Sequence, residues 1–228
     1  KKAENKLFDV ILSGYYGYSN SGDDALQEAV IKALRKEKED ISILVLSKKP
    51  AESMDEHAVY AVNRSNFLSI IKYMKMGRVF IYGGGSLIQD ITSTQSLIYY
   101  TFLLYVARYF GLKLMVYGNG IGPVTKERNK PMARNALNMC DYISLRDPES
   151  LNDIRGLGVT NEKVYVSVDP VFSLDMDSGQ NLKDILEREG IKEDGRYFIV
   201  SLRPWQYNEP NFVHKMIQVI NTIHDRYG

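Results

Sequence analysis

The chain has 228 residues, 44% of them hydrophobic and 25% charged, and its 29 Lys and Arg against 28 Asp and Glu leave a formal net charge of +1. That is the composition of a globular protein with a sizeable core, and its near-neutral balance excludes the electrostatic footprint of a nucleic-acid binder. The single cysteine, Cys140, in the apolar context ALNMCDY, excludes an intrachain disulfide and a CxxC zinc or redox site, and fits a reducing cytoplasm.

Lys6 leads straight into LFDVIL with no small-residue cleavage site, so no signal peptide is expected, and a start without methionine suggests a trimmed terminus. Residues 8–13 (FDVILS) read as a strand, broken by GYYGYSNSGDD, and residues 25–38 carry apolar side chains at helical spacing. Residues 41–47 form a second buried strand, 58–62 a short third, 67–76 a helix and 79–82 a fourth strand. Residues 97–110 (LIYYTFLLYVARYF) fall short of the roughly 20 residues that span a bilayer and read as a helix packed on a sheet, although their tyrosines also suit a membrane surface. LKLMVYGNGIGP is a strand ending in glycines, residues 127–140 are helical, 142–145 are a strand, 148–155 a helix opened by proline, and 164–168 a strand. Continuous apolar strands separated by helices predict an α/β fold with a doubly wound, Rossmann-like parallel sheet.

In such a sheet ligands bind beyond the carboxyl ends of the strands. The first strand ends in Gly14, Tyr15, Tyr16, Gly17 and Tyr18, followed by Asn20, Gly22, Asp23 and Asp24. The fourth ends in Gly83, Gly84 and Gly85, then Ser86, Gln89 and Asp90. Later strand ends bring Asn119 between Gly118 and Gly120, then Arg146 with Asp147, then Asp169 with Pro170. Three glycines let backbone N–H groups approach an anion, and Ser86 is placed to cap a helix whose positive end faces the same point. Arg146 emerges directly from its strand with a guanidinium fork matched to carboxylate or phosphate; its competing role is an ion pair with Asp147, Asp169 or Glu149. Asp23 or Ser21 as a helix cap, Asp147 as a cap before Pro148 and Asp169 in a turn are the purely structural alternatives. His57 lies in a polar loop, and His214 and His224 on a solvated face of the last helix. A dinucleotide fingerprint fails: Gly14, Gly17 and Gly22 are wrongly spaced, the second strand ends in Ser47-Lys48-Lys49 with no acidic ribose ligand, and no GxxxxGK[ST] loop occurs.

GYYGYSNSGDDAL, GGGSLIQD, YGNGIGPV, SLRDPES and VDPVFSL, in that order between about Val10 and Trp205, resemble the polysaccharide pyruvyl transferase family, closely so its bacterial members that pyruvylate secondary cell-wall polysaccharide. The resemblance implies a two-domain architecture similar to GT-B glycosyltransferases, phosphoenolpyruvate as donor and a lipid-linked saccharide with an N-acetylmannosamine residue as acceptor. It also implies no cofactor, no metal dependence, and a cytoplasmic site at the inner face of the membrane, with peripheral membrane contact through the acceptor. Arg146 falls where the family carries a donor-binding arginine. Gly14, Tyr15, Tyr18, Asn20, Asp23, Gly84, Gly85, Ser86, Gln89, Asn119 and Arg203 are the expected substrate-binding residues, and Asp169 or Asp90 the acceptor of a hydroxyl proton. Family members run well beyond residue 228, and the family's essential histidine and a further lysine lie in that region. The expectation is therefore an N-terminal domain over residues 1–178, a linker and bridging helix over 179–196, and an incomplete second domain over 197–228 opening with a strand at 197–202, a truncated chain that does not turn over alone. A nucleotide-sugar-dependent glycosyltransferase and a noncatalytic sugar-binding protein are the other readings.

Overall fold

Seven apolar runs form strands: β1 (Phe8–Ser13), β2 (Ile43–Ser47), β3 (Tyr60–Asn63), β4 (Gly77–Gly83), β5 (Lys113–Asn119), β6 (Tyr142–Leu145) and β7 (Val164–Val166). In the computed structural model, which describes residues 6–175, 180–192, 195, 197–202 and 210–227, they pair in parallel in the order β3-β2-β1-β4-β5-β6-β7. Sequence order reverses between β1 and β4, the switch point of a doubly wound sheet. Every residue of β2 is buried, as the unbroken run ILVLS requires when both sheet faces are covered.

Alternate residues of β1 to β5 feed two cores, and β6 and β7 feed one of them. Val10 and Leu12 of β1 pack with Val30 and Ile31 of α1 (Ser21–Glu37) on one face. Beside α1 lies α2 (Pro50–His57), held by Arg35, whose guanidinium donates to the carbonyls of His57 (2.7 Å) and Ala58 (2.9 Å). Ile11, Leu44, Phe80 and Leu114 face the larger core, built with α3 (Phe67–Met74), α4 (Thr94–Tyr109), α5 (Lys130–Asn138) and α6 (Pro148–Gly156). Leu97, Leu103, Leu104 and Ala107 of α4 are fully buried, each leucine contributing about 2 kcal/mol of burial.

The chain divides into two compact units, Lys1–Asp175 and Met176–Gly228. The described part of the second holds α7 (Gln180–Arg188) and α8 (Phe212–Tyr227). Four expectations are corrected. His57 is not in a loop but ends α2, a helix with a single buried side chain, Ser53, and therefore no apolar stripe to announce it. No helix follows the glycines directly: residues 84–93 are loop, and α4 starts at Thr94 under the cap of Ser93, whose Oγ accepts from the Ser96 amide at 3.0 Å. Ser86 therefore caps nothing. The cap of α1 is Asn20, accepting from the Gly22 amide at 3.1 Å, rather than Ser21 or Asp23. Residues 197–202 form no strand; a strand needs a ladder partner, and the described residues offer it none.

Candidate active site

The carboxyl ends of all seven strands share one edge, and the β1/β4 switch point would ordinarily hold the ligand. Here Tyr16 fills it. Its side chain is 1% exposed and its hydroxyl donates to the Gly83 carbonyl at 2.6 Å. A Cβ on Gly83 would lie 2.6 Å from that hydroxyl, and one on Gly84 2.6 Å from Leu26, so these two glycines serve packing. Burial, with smaller contributions from Asp23 and Tyr100, pushes the Tyr16 phenol pKa up and keeps it a neutral donor. The Gly84 amide also has a partner, the Tyr117 carbonyl at 2.9 Å. Gly85 differs: at φ +75° its Cβ position meets Asp23 Oδ1 and Leu87 only at ordinary contact distance, 3.5 Å.

The polar groups gather one step along the edge, where β4, β5, β6 and the segment after β7 end. Asn119 leaves β5 with its Nδ2 donating to the carbonyls of Gly84 (2.6 Å) and Gly85 (3.3 Å), tying the glycine loop to the next strand. The Asn119 carbonyl in turn accepts from the Arg146 amide at 3.1 Å, which fixes where that side chain leaves β6. Arg146 is half-buried. Its Nη1 donates to Asp169 Oδ2 at 3.0 Å, its Nη2 to Ser86 Oγ at 3.1 Å, and its Nε lies 3.6 Å from Asp147 Oδ2. The guanidinium sits over Gly120, where a Cβ would come within 2.5 Å of Ser86 Oγ and 3.1 Å of Arg146 Nε. Any other residue at 120 would push the pair apart.

Both acids have structural employment as well. Asp147 caps α6, accepting from the Ser150 amide at 2.7 Å. Burial raises its pKa, but the hydrogen bonds from Ser150 and the charge of Arg146 outweigh this and hold the carboxyl below its ordinary range. Asp169 caps the turn of 3-10 helix at Pro170–Ser173 through Oδ1, which accepts from the Val171 amide at 3.1 Å, leaving Oδ2 to Arg146.

The remaining expected residues lie elsewhere. Asp90 is 2% exposed and saturated: Oδ1 accepts from the Thr125 amide (2.7 Å) and hydroxyl (2.9 Å), Oδ2 from the Lys126 amide (3.0 Å) and Asn129 Nδ2 (2.8 Å). Burial pushes its pKa up, these four donors push it down further, and it settles at about 2. Gln89 closes its own short loop by accepting from the Thr92 amide at 3.1 Å. Asn20 is the exposed cap of α1. Tyr15 and Tyr18 stack at 4.0 Å with 4° between their planes, both near 40% exposed. Arg203 lies outside the described residues.

Sequence reasoning missed Arg64, which follows β3 as directly as Arg146 follows β6. Only 6% exposed, it donates to the Gly14 carbonyl (2.8 Å) and the Tyr100 hydroxyl (3.0 Å). Its guanidinium carbon lies 4.8 to 5.8 Å from the ring centres of Tyr15, Tyr18, Tyr99 and Tyr100. Burial works against the charge, and Tyr100 and Tyr99 more than offset it. The available signal was position: a basic residue at a strand end.

No group of His, Cys, Asp and Glu suited to a metal ion occurs among the described residues, nor a helix long and apolar enough to cross a membrane. Residues 20–228 match the polysaccharide pyruvyl transferase family, and the chain belongs to it. It is thus an enzyme, a transferase. No curated protein matches the chain.

Proposed function

We propose that this transferase moves the enolpyruvyl group of phosphoenolpyruvate onto a sugar diol of a lipid-linked cell-wall polysaccharide precursor, an N-acetylmannosamine residue, to form a pyruvyl ketal in the cytoplasm at the inner face of the membrane. The observation that carries this reading is Arg146, a half-buried guanidinium at a strand end, in contact with Ser86 and Asp169 over a glycine that leaves room for it. A guanidinium fork beside backbone amides suits the phosphate or carboxylate of a small anionic donor. The Gly85 and Ser86 amides join Arg146 in that role, whereas the Gly84 amide is engaged by Tyr117.

The reaction adds a proton to the enol carbon, forms one C–O bond to a sugar hydroxyl, and loses phosphate as a second hydroxyl closes the ring; each hydroxyl gives up its proton. Of the two candidate acceptors, Asp169 takes this role. Donor binding competes for Arg146 and releases Asp169 Oδ2, while every lone pair of Asp90 is already engaged by a donor from the protein. The stacked, exposed Tyr15 and Tyr18 rings offer an apolar face to the acceptor sugar.

The test incubates full-length protein with phosphoenolpyruvate and a synthetic N-acetylmannosamine-containing acceptor and follows the acceptor by mass spectrometry. A pyruvyl mass increment is expected, lost in Arg146→Ala and not replaced by a glycosyl increment when a nucleotide sugar is supplied. No increment with phosphoenolpyruvate, or a glycosyl increment instead, overturns the assignment.

A further inference from the structure

The outer face of α3 and α4 is an apolar surface turned to solvent. Ile98, Phe102, Tyr105 and Tyr109 of α4 recur at intervals of four, three and four residues, a single helical stripe, and all are exposed, Tyr109 to 84%. Phe67 and Leu68 of α3 continue it: the Phe67 ring meets those of Tyr99 and Phe102 at 6.2 and 5.9 Å, and Leu68 is 83% exposed. The two helices run side by side in one direction, since Lys75, just past α3, lies 5.5 Å over the ring of Phe110, just past α4.

The charge carried by the two helices is one-sided. Residues 57–126 contain seven Lys and Arg and one acid, the buried Asp90; of the seven, Arg64 is buried, Arg78 pairs with Asp9, and Arg108 and Lys113 pair with Asp141. Neither α3 nor α4 contains an Asp or Glu. Lys72 of α3 and Lys75 just past it are exposed, and their ammonium groups lie over the Tyr73 and Phe110 rings with no carboxylate within ion-pair distance among the described residues. Contiguous exposed apolar surface marks an interaction site. Aromatic rings beside lysines, free of acids, are the surface that settles at the headgroup level of an anionic bilayer. A second copy of the chain across a two-fold axis would instead bring the same cationic face against itself.

We infer that the α3–α4 face docks on an anionic membrane surface, rings at the headgroup boundary and Lys72 and Lys75 against lipid phosphates. This goes beyond the proposed reaction and does not rest on it: it holds whatever the donor and acceptor are. In co-sedimentation, full-length protein is expected to bind vesicles of phosphatidylglycerol mixed with phosphatidylcholine and to stay in solution with phosphatidylcholine alone. Lys72→Glu with Lys75→Glu should lower binding to the anionic vesicles about tenfold or more. Phe102→Ser with Tyr109→Ser should lower it at constant charge, with circular dichroism confirming both variants folded. Equal binding by wild type and both variants, or no binding to anionic vesicles, overturns the inference. So does sedimentation velocity showing a dimer that the Phe102/Tyr109 variant dissociates, which would assign the face to a second copy.

Discussion

Asp90 tests whether a carboxylate at this sheet edge is structural or catalytic. Asp90→Ala removes the acceptor for four donors: the Thr125 amide and hydroxyl, the Lys126 amide and Asn129 Nδ2. At about 1 kcal/mol for each bond and with part of the set left dry, the expected loss is about 3–5 kcal/mol, or about 10 °C in melting temperature for a domain of this size. The pH dependence carries the same signature. The folded pKa of about 2 lies below the ordinary 3.8, so between these values the unfolded chain binds more protons and stability rises with pH. The contribution, about 2 kcal/mol, is complete above pH 4 and lost as pH falls toward 2. Denaturant unfolding followed by circular dichroism, at pH 7 and in steps between pH 4 and 2.5, should show wild type and variant converging by most of that amount. A variant within about 0.5 kcal/mol of wild type at pH 7, or one with an unchanged acid limb, would refute the structural role.

Arg64→Ala leaves the Gly14 carbonyl and the Tyr100 hydroxyl without their donor and opens a void among four rings. A loss of about 3–4 kcal/mol is expected in denaturant unfolding, and a loss under about 1 kcal/mol would remove Arg64 from the supports of the Tyr15–Tyr18 pair. Asp169→Asn separates donor binding from proton transfer, because Arg146, Asp147 and Asp169 together carry a formal charge of −1 and the substitution brings it to zero. Steady-state kinetics should give a donor KM about 2- to 5-fold lower and a kcat lower by about a hundredfold or more. A raised KM with unchanged kcat would make Asp169 a donor ligand rather than a base.

The sheet was legible because burial on both faces leaves unbroken apolar runs such as ILVLS and FDVILS that no polar alternation obscures. α2 was not, because a helix that buries only Ser53 has no apolar period, and Pro50 at its first turn was its sole signature. Residues 197–202 read as a strand on composition alone, but strand formation is a property of a pair of segments, which no local pattern reports. At the sheet edge, position in sequence foretold that Ser86, Arg146 and Asp169 would come to one place. It did not foretell that Asp90, four residues after Ser86, would turn inward to Thr125 and Asn129. Nor did it foretell that the first two glycines of the triplet would face Tyr16 and Leu26 rather than solvent.

Tyr16 is the reason the candidate site lies off the switch point. A parallel sheet opens its crevice where strand order reverses, and here a neutral phenol enters that opening and closes it with a hydrogen bond to Gly83. With β1 and β4 sealed, the remaining route for backbone amides and a cation to meet at the edge runs through Gly85, Ser86 and the ends of β5 and β6, where Asn119 locks the two loops together. One guanidinium facing two carboxylates does not attract a polyanion by net charge. In the proposed reaction selectivity comes from exchange: an anion that replaces Asp169 on Arg146 would free a carboxylate beside the bound ligand, so that binding the donor and arming the base would be one event.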